Sequence, residues 1–503
     1  MNDQLLIQNN LTLAGRAGAV DRPWILRGYI LAFCFAPSVI VLLLGRQAYD
    51  PSTLVLSGHV ALACGSYFAL FLLRDKPLLN PIQAVVFLFH WWFAVGPGMA
   101  VLFGALRNDP DLLDKYASFG GEALWIVAVG LPLYALCAKQ TMFFSRGRIK
   151  PLAFLMPEGP LYLPKTLYVY WIFGGLLTLI IAVLGRFGIV GNVPVNYLGG
   201  KMSENWFVSS LETISGVALI ATVGVIGYLT GPYEKHSPKF KIIAIGLIAF
   251  NTVTALFSGW KGAIVQTFAL LFIVRLIWRQ KIPGVLVILL AVSYLFVIEP
   301  FVSQMRMAAE IAHIETPEER TELFMTAMDQ GISIDELRDI QVNIESPFRF
   351  VYEYANGITE ESTFFEGPWE GTISEGLLAL VPRAIYPDKP EGHIGNFFAR
   401  YFGNAAPDNY EQSLGVSIPF EVLGNYGYVA GILSFALIGI LWTALVVWIL
   451  SEDRLATHPL TPLAIIYALS MESSIGAFLA RLRDLPLVLG AAFLIWYMMK
   501  KHL

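Results

Sequence analysis

Residues 427–450 are Gly-Tyr-Val-Ala-Gly-Ile-Leu-Ser-Phe-Ala-Leu-Ile-Gly-Ile-Leu-Trp-Thr-Ala-Leu-Val-Val-Trp-Ile-Leu, a stretch without a charged side chain. A helix needs about 20 apolar residues to cross the hydrocarbon core of a bilayer, so this stretch predicts a membrane-spanning helix. The whole chain has the same character, because its 503 residues are 56% hydrophobic and only 14% charged. Soluble domains carry about 25% charged residues. The composition therefore predicts an all-α polytopic membrane protein and excludes a soluble one.

Eleven further apolar runs are long enough to cross a membrane, which gives about twelve predicted transmembrane helices. The runs at 241–258 and 262–278 can also be one interrupted hairpin. The predicted organisation is residues 1–299 with helices 1–9, an insert at 300–426, and residues 427–503 with helices 10–12. The other runs lie near 28–45, 53–73, 81–106, 119–138, 166–185, 209–229, 282–299, 459–479 and 484–499.

The insert at 300–426 is set apart by its charge. It holds 21 Asp and Glu against 7 Lys and Arg, a net charge of −14, whereas the rest of the chain sums to +10. Basic loops stay on the cytoplasmic side of a membrane, and with the N-terminus inside, the basic loops alternate so that the insert falls outside. Capping patterns such as Thr316-Pro317-Glu318-Glu319 predict that this extracytoplasmic domain is mostly helical.

Three basic residues are predicted on the outer side, against the positive-inside trend. Lys261 lies in a tight turn between two apolar runs, and Arg481 and Arg483 lie in a predicted short outer loop between the last two spans. Such a placement in or near the membrane is costly and needs a reason. One alternative is snorkelling at the interface or a salt bridge to the acidic insert. The other is that these cations bind a phosphate or diphosphate, a task that suits the arginine fork.

Two more cations lie in Val-Pro-Arg-Ala-Ile-Tyr-Pro-Asp-Lys-Pro at 381–390, namely Arg383 and Lys389. Three prolines within nine residues restrict the backbone, so the segment is predicted to be rigid. A rigid loop with two cations is a candidate anion clamp. The alternative is a surface loop in which Arg383 pairs with a nearby carboxylate.

Candidate bases are fewer and less specific. His393 follows Lys389 by four residues, and Glu421 lies among glycine and aromatic residues, as Glu353 and Glu366 also do. Either residue type removes a proton from a sugar hydroxyl if it reaches that hydroxyl, although a surface histidine is more often only solvated. Glu472, inside the eleventh apolar run, either has a function or has a structural role, as a hydrogen bond to Ser470, Ser473 or Ser474 or as a pair with a cation on a neighbouring helix. The sequence has no Cys-x-x-Cys or His-Glu-x-x-His pattern, which argues against a dedicated metal site.

Three stretches resemble the bacterial oligosaccharide repeat-unit polymerases, the O-antigen polymerase or Wzy-type family. Ser-Gly-Trp-Lys-Gly at 258–262 is similar to a Ser-x-Arg/Lys-Gly element of that family. Residues 381–390 are similar to its Pro-Arg-(x)2-Trp-Pro-x-Lys-Pro segment, with Tyr386 where tryptophan is commoner. Glu421-(x)3-Asn425-Tyr-Gly-(x)3-Gly431 is similar to its Glu-(x)3-Asn-Phe-Gly-(x)3-Gly element. The resemblance covers roughly residues 250–435, and the first half of the chain matches only as a many-span protein.

The resemblance implies a membrane-embedded glycosyltransferase of GT-C-like architecture in the bacterial inner membrane, with its large loop in the periplasm. Its donor would be a glycan on undecaprenyl diphosphate, transferred to another lipid-linked repeat unit. A diphosphate leaving group is already charged, so cations and a base suffice and no cofactor or metal is expected. A chain-length regulator and a repeat-unit flippase are possible partners, beside membrane lipids, and nucleic acid is not a partner. The implied roles are Lys261, Arg481 and Arg483 at the diphosphate; Arg349, Arg383 and Lys389 at the acceptor or second phosphate; and His393 or Glu421 as base.

Three other functions remain open at the level of sequence. An O-antigen ligase-like transferase would use the same lipid donor with a different acceptor. A polytopic polysaccharide or lipid transporter would need binding groups near the membrane midplane and related halves. An accessory scaffold in a polysaccharide export complex would need no catalytic residue.

Overall fold

The structure is a computed structural model in which every extended stretch that it describes is helical. It describes residues 23–48, 53–73, 80–107, 121–146, 148, 168–177, 180, 214, 220, 242, 245–246, 371–381, 385–386, 394–401, 415–450 and 461–500. The helices are α1 Pro23–Ala48, α2 Thr53–Leu72, α3 Pro81–His90, α4 Gly96–Arg107, α5 Gly121–Ser145, α6 Thr372–Leu378, α7 Ile394–Tyr401, α8 Ile418–Leu450, α9 Thr461–Leu469 and α10 Ile475–Lys500. A π-helical turn, Trp91–Val95, joins α3 to α4, and a 3-10 turn, Ser470–Glu472, follows α9.

Four of the described helical stretches are long and apolar enough to cross a membrane: Leu54–Leu72, Pro81–Leu106, Gly121–Ser145 and Ile418–Leu450. They coincide with predicted spans 2, 3, 4 and 10. The protein is therefore an all-α membrane protein, as the composition predicted.

The chain forms two compact units. One, called here the core unit, consists of Ala19–Gly159 and Glu345–Pro486, and it contains α1 to α9 and the first part of α10. The other consists of Met1–Gly18, Pro160–Ile344 and Leu487–Leu503. Within this second unit the Tyr170 hydroxyl donates to the carbonyl oxygen of Ala492 at 3.1 Å.

Small residues bring α2, α5 and α8 together in the core unit. Gly65 lies so close to the carbonyl of Ala128 that a Cβ atom there would overlap it. A Cβ atom at Gly130 would likewise overlap the ring of Phe435. A Cβ atom at Gly439 would lie 2.6 Å from the Tyr134 carbonyl oxygen. In lipid there is no hydrophobic force between helices, so close backbone approach at small residues supplies much of the packing. The residue numbers at the contacts between these helices increase in the same direction along each pair of neighbours, so α2, α5 and α8 run parallel to one another.

We expect Gly65→Ala to destabilise the protein by about 1–3 kcal/mol, because the added methyl group forces α2 and α5 apart. Gly28→Ala is the matched control, since a Cβ atom at Gly28 in α1 meets nothing within 4 Å. That change should be neutral or slightly stabilising. Thermal unfolding of the purified variants in detergent measures both, and equal melting temperatures would contradict the close approach at Gly65.

The third predicted span contains a π-turn, Trp91–Val95, just before the Gly-Pro-Gly at 96–98. The backbone N–H of Gly96 donates to the carbonyl of Trp91, five residues back. Pro97 has no N–H to give to the carbonyl four residues before it, so the helix can shift its hydrogen-bond register at this point with little loss.

Helix α8 turns back on itself at Gly427, whose φ of 85° and ψ of 179° are not helical. A Cβ atom at Gly431 would lie 2.9 Å from the Cβ atom of Leu423. In a straight helix two residues eight apart are separated by about 12 Å, so Ile418 and the residues up to Gly427 fold back beside the main helix. The predicted span at 427–450 therefore begins at the turn.

The prediction of an outer loop at Arg481–Asp484 is wrong, because α10 runs through these residues without a break. The interruption lies earlier, at Ser473 and Ser474. Ser473 is extended, and the Oγ atom of Ser474 accepts a hydrogen bond from the N–H of Ala477 at 3.3 Å, as the N-cap of α10. Serine is a strong helix N-cap, whereas arginine and leucine favour helix interiors, so the serines end one helix and start the next.

Candidate functional site

Three of the eight predicted site residues lie in the described part of the chain: Glu421, Arg481 and Arg483. All three are in the core unit. The other five lie outside the described residues, namely Lys261, Arg349, Arg383, Lys389 and His393.

The irregular points of three helices meet in one place, which we call the helix-break site: Trp91–Val95, residues 417–427 and residues 470–475. Phe93, from the π-turn, stacks on Phe420 with ring centroids 5.2 Å apart and an interplanar angle of 12°. The next residue, Glu421, accepts a hydrogen bond at Oε2 from the backbone N–H of Ile475 at 2.6 Å. Irregular backbone is tolerated in membrane proteins where it is buried in protein or lines a cavity, so the helix-break site is a candidate functional site.

Glu421 is fully buried, and its carboxylate stabilises the start of α10. The first N–H groups of a helix have no partner within the helix and carry a partial positive charge, so a carboxylate there is favourable. The other oxygen, Oε1, has no hydrogen-bond partner among the described residues. The hydroxyl of Thr372 lies near this carboxylate and interacts with it, but without good hydrogen-bond geometry to Oε1.

Ser417, which precedes the back-folded segment, is also fully buried. Its backbone has φ 64°, the left-handed region that non-glycine residues rarely adopt. Its carbonyl accepts the first helical hydrogen bond, from the N–H of Glu421 at 3.0 Å. Its Oγ atom is without a hydrogen-bond partner in the described part of the chain.

Asn425 connects the back-folded segment to helix α6. Its Nδ2 group donates to the hydroxyl oxygen of Thr372 at 2.8 Å and to the carbonyl of Glu421 at 2.8 Å. Thr372 is the first residue of α6, which begins after Gly371 with φ 101°. The amide of Asn425 therefore holds the N-terminal end of α6.

Arg483 holds the opposite end of α6. Its Nη1 group donates to the carbonyl oxygen of Ala379 at 2.9 Å, and Ala379 is the C-cap of α6. Its Nε and Nη2 groups bind Oδ1 of Asp484 at 2.9 Å each. An arginine at a helix C-terminus satisfies a free carbonyl and complements the helix dipole. The proline-rich cationic segment at 381–390 begins two residues after Ala379, so its entry point is fixed by Arg483.

Arg481 lies two positions earlier on α10 and has an exposed side chain. The Arg483 side chain is only 19% exposed. The two arginines of the Arg-Leu-Arg-Asp stretch thus have different surroundings, which spacing alone did not indicate. Arg481 and Asp484 both lie close enough to Tyr467 of α9 to interact with it electrostatically.

Sequence reasoning missed the contributions of Asn425, Thr372 and Ser417. For Asn425 a signal existed, because it follows Glu421 by four residues and such pairs share one face of a helix. Thr372 and Ser417 carry no comparable signal, since their importance depends on the turn at Gly427. Glu472 lies in the 3-10 turn next to the site.

A second buried polar group, also missed, lies between α1, α2 and α3. The ring of His90 bonds the hydroxyl of Ser66 at 2.9 Å and the carbonyl of Phe33 at 3.0 Å. Both ring nitrogens of His59 are buried and lack a hydrogen-bond partner within the described ranges. In those ranges, no three His, Cys, Asp or Glu side chains come together in a way that could hold a metal ion.

One family model matches the chain, that of a domain of unknown function, DUF8712, over residues 205–394. The match covers less than half of the chain. It includes α6 and the positions of the five candidate residues that lie outside the described ranges. Searches of the curated proteins and of the solved structures give no match.

Proposed function

We propose that this protein is a membrane-embedded glycosyltransferase that polymerises undecaprenyl-diphosphate-linked oligosaccharide repeat units. It acts on the outer face of the bacterial inner membrane, to which the periplasmic insert is exposed. The donor glycan leaves its lipid diphosphate and is joined to a hydroxyl of another lipid-linked repeat unit.

The observation that carries this proposal is the attachment of α6 at both ends. Asn425 belongs to the Glu-(x)3-Asn-Tyr-Gly stretch, and it holds the helix that leads into the Pro-Arg and Lys-Pro segment. Asn425 therefore links one stretch that resembles the polymerases to the helix that precedes a second such stretch along the chain. The segment at 381–390, which the sequence predicts to be rigid and cationic, follows a helix that is held at both ends. A cationic segment held near the membrane suits a lipid-linked anionic substrate, because its diphosphate stays at the membrane boundary while its glycan extends outward.

The reaction requires side chains that bind the diphosphate, side chains that orient the acceptor, and a base. Cations bind the diphosphate and stabilise the charge that develops on it as the glycosidic bond breaks. In our assignment the exposed Arg481 does this together with Lys261, while Arg349, Arg383 and Lys389 orient the acceptor or the second phosphate. Arg483 acts as a positioning residue, because its guanidinium is engaged by Asp484 and Ala379.

The base that deprotonates the acceptor hydroxyl must reach that hydroxyl. We assign this role to His393 rather than to Glu421. The carboxylate of Glu421 is fully buried and already binds the first N–H of α10. Glu421 is better suited to keep α8 and α10 together beneath the substrate.

Transport is the second candidate, and the broken helices favour it. Transporters commonly build their substrate sites from discontinuous helices whose N-terminal ends face the ligand. Here the back-folded segment before Gly427 and the interruption before Ile475 face each other. The two functions differ in outcome, since a transporter moves the lipid-linked glycan without making a glycosidic bond.

We expect the purified protein, incubated with lipid-linked repeat units and no other enzyme, to produce a ladder of longer lipid-linked glycans. Gel electrophoresis or mass spectrometry of the extracted lipids detects the products. A single transfer to a lipid core acceptor would identify a ligase instead. Unchanged glycans that cross a proteoliposome membrane would favour transport and refute the polymerase assignment.

A further inference from the structure

Two oxygen atoms at the helix-break site are buried without a hydrogen-bond partner among the described residues: Oε1 of Glu421 and Oγ of Ser417. Both residues are fully excluded from solvent. The N–H of Glu421 bonds the carbonyl of Ser417, which keeps the two residues in adjacent positions. Unpaired buried polar atoms are rare in native proteins and each one calls for an explanation.

The charge of Glu421 is only partly compensated. The N–H of Ile475, at the start of α10, donates to its Oε2 atom, and the hydroxyl of Thr372 interacts with the carboxylate, but none of the described side chains forms an ion pair with it. A helix N-terminus is equivalent to roughly half a positive elementary charge. The helix end alone does not balance an ionised carboxylate, and a buried ionised carboxylate without a counter-charge is strongly unfavourable, so a bound cation would be stabilising there.

We propose that the site binds a monovalent metal cation, such as sodium, between Oε1 of Glu421, Oγ of Ser417 and Oγ1 of Thr372. All three are oxygen ligands, which hard cations prefer. Oγ1 of Thr372 accepts one hydrogen bond from Asn425 and keeps a second lone pair for the ion. One carboxylate balances one positive charge, whereas a divalent ion would leave an excess charge buried.

The backbone at Ser417 agrees with a ligand role. Glycine adopts φ 64° at little cost, whereas serine is strained there. A serine at this position brings a hydroxyl to the site that glycine would lack. The ion would contact Thr372 of α6, Glu421 of α8 and Ser417 just before α8. The same carboxylate binds the N–H of Ile475 at the start of α10, so the ion would help to fix these helices together. No step of glycosyl transfer uses the ion, so its presence is independent of the function proposed above.

The test is the thermal stability of the purified full-length protein in sodium chloride against choline chloride at equal ionic strength. Sodium is expected to raise Tm by roughly 2–4 °C, and the rise should saturate with sodium concentration, because an ion that binds only the folded state stabilises it by mass action. Glu421→Gln and Ser417→Gly should each lose the sodium-dependent part. The glycine variant removes the hydroxyl and suits the backbone, so it remains a fair test if the glutamine variant does not fold.

Thr443→Val is the matched control. Thr443 has another buried hydroxyl without a described partner, but it lies 16 residues beyond the turn at Gly427. Its variant should keep the full response to sodium. Equal Tm values in sodium and choline would overturn the proposal, as would a sodium response that persists in both site variants. A calcium response larger than the sodium response would also overturn it.

Discussion

Alanine at Glu421 is expected to lower the free energy of unfolding by about 3 kcal/mol, the largest stability effect anticipated in the core unit. The change leaves the N–H of Ile475 buried without an acceptor, which costs about 1–3 kcal/mol. It also removes buried side-chain volume, since Glu421 is fully buried, and a cavity in a packed interior adds a further penalty. Fluorescence-detected size exclusion and thermal unfolding of the variant measure the loss.

Glutamine at Glu421 separates the structural role from the catalytic one. It keeps an oxygen that accepts from Ile475 and fills the same volume, so it should cost only about 1 kcal/mol. If His393 is the base, the glutamine variant retains most of its polymerising activity. A stable glutamine variant with activity reduced by 10² or more would instead assign the base to Glu421.

Much of the membrane architecture was predictable from local sequence, because an apolar run of 20 residues without charge has few alternatives to a spanning helix. The run at 427–450 is an example, and its first residue is the glycine at which the helix turns. The charge-based placement of Arg481 and Arg483 in a loop failed for an equally local reason. Their charges suggested a loop, whereas helix propensity and the capping serine at 474 place the break seven residues earlier.

The composition of the helix-break site was not predictable from the sequence. Glu421 was a candidate because of its motif, yet its partner Ile475 lies 54 residues away and its partner in the motif, Asn425, binds Thr372, 53 residues before. These contacts exist because the chain folds back at Gly427. A single glycine in an apolar sequence does not predict such a turn. The nearby Gly431 and Gly439 are helical, and they allow close packing instead.

Alanine at Arg483 is expected to reduce the turnover number for polymerisation by about 10²-fold, with little change in the amount of folded protein. The guanidinium fixes the C-terminal end of α6 two residues before the cationic segment begins. A displacement of about 1 Å in catalytic groups is enough for a loss of that size. Because Arg483 is not assigned to the substrate itself, KM for the lipid-linked donor should change less than kcat.

Arg481→Ala gives the contrasting pattern. Its exposed side chain is assigned to the diphosphate, and a lost charge-assisted hydrogen bond there should raise KM about 10-fold with a smaller effect on kcat. Arg483→Lys tests positioning against charge, because lysine keeps the charge but cannot bind Asp484 and the carbonyl of Ala379 with one planar fork. It should recover only part of the lost turnover. Full activity of Arg483→Ala, or a decrease in kcat that merely follows a decrease in thermal stability, would show that the attachment of α6 does not position the substrate segment.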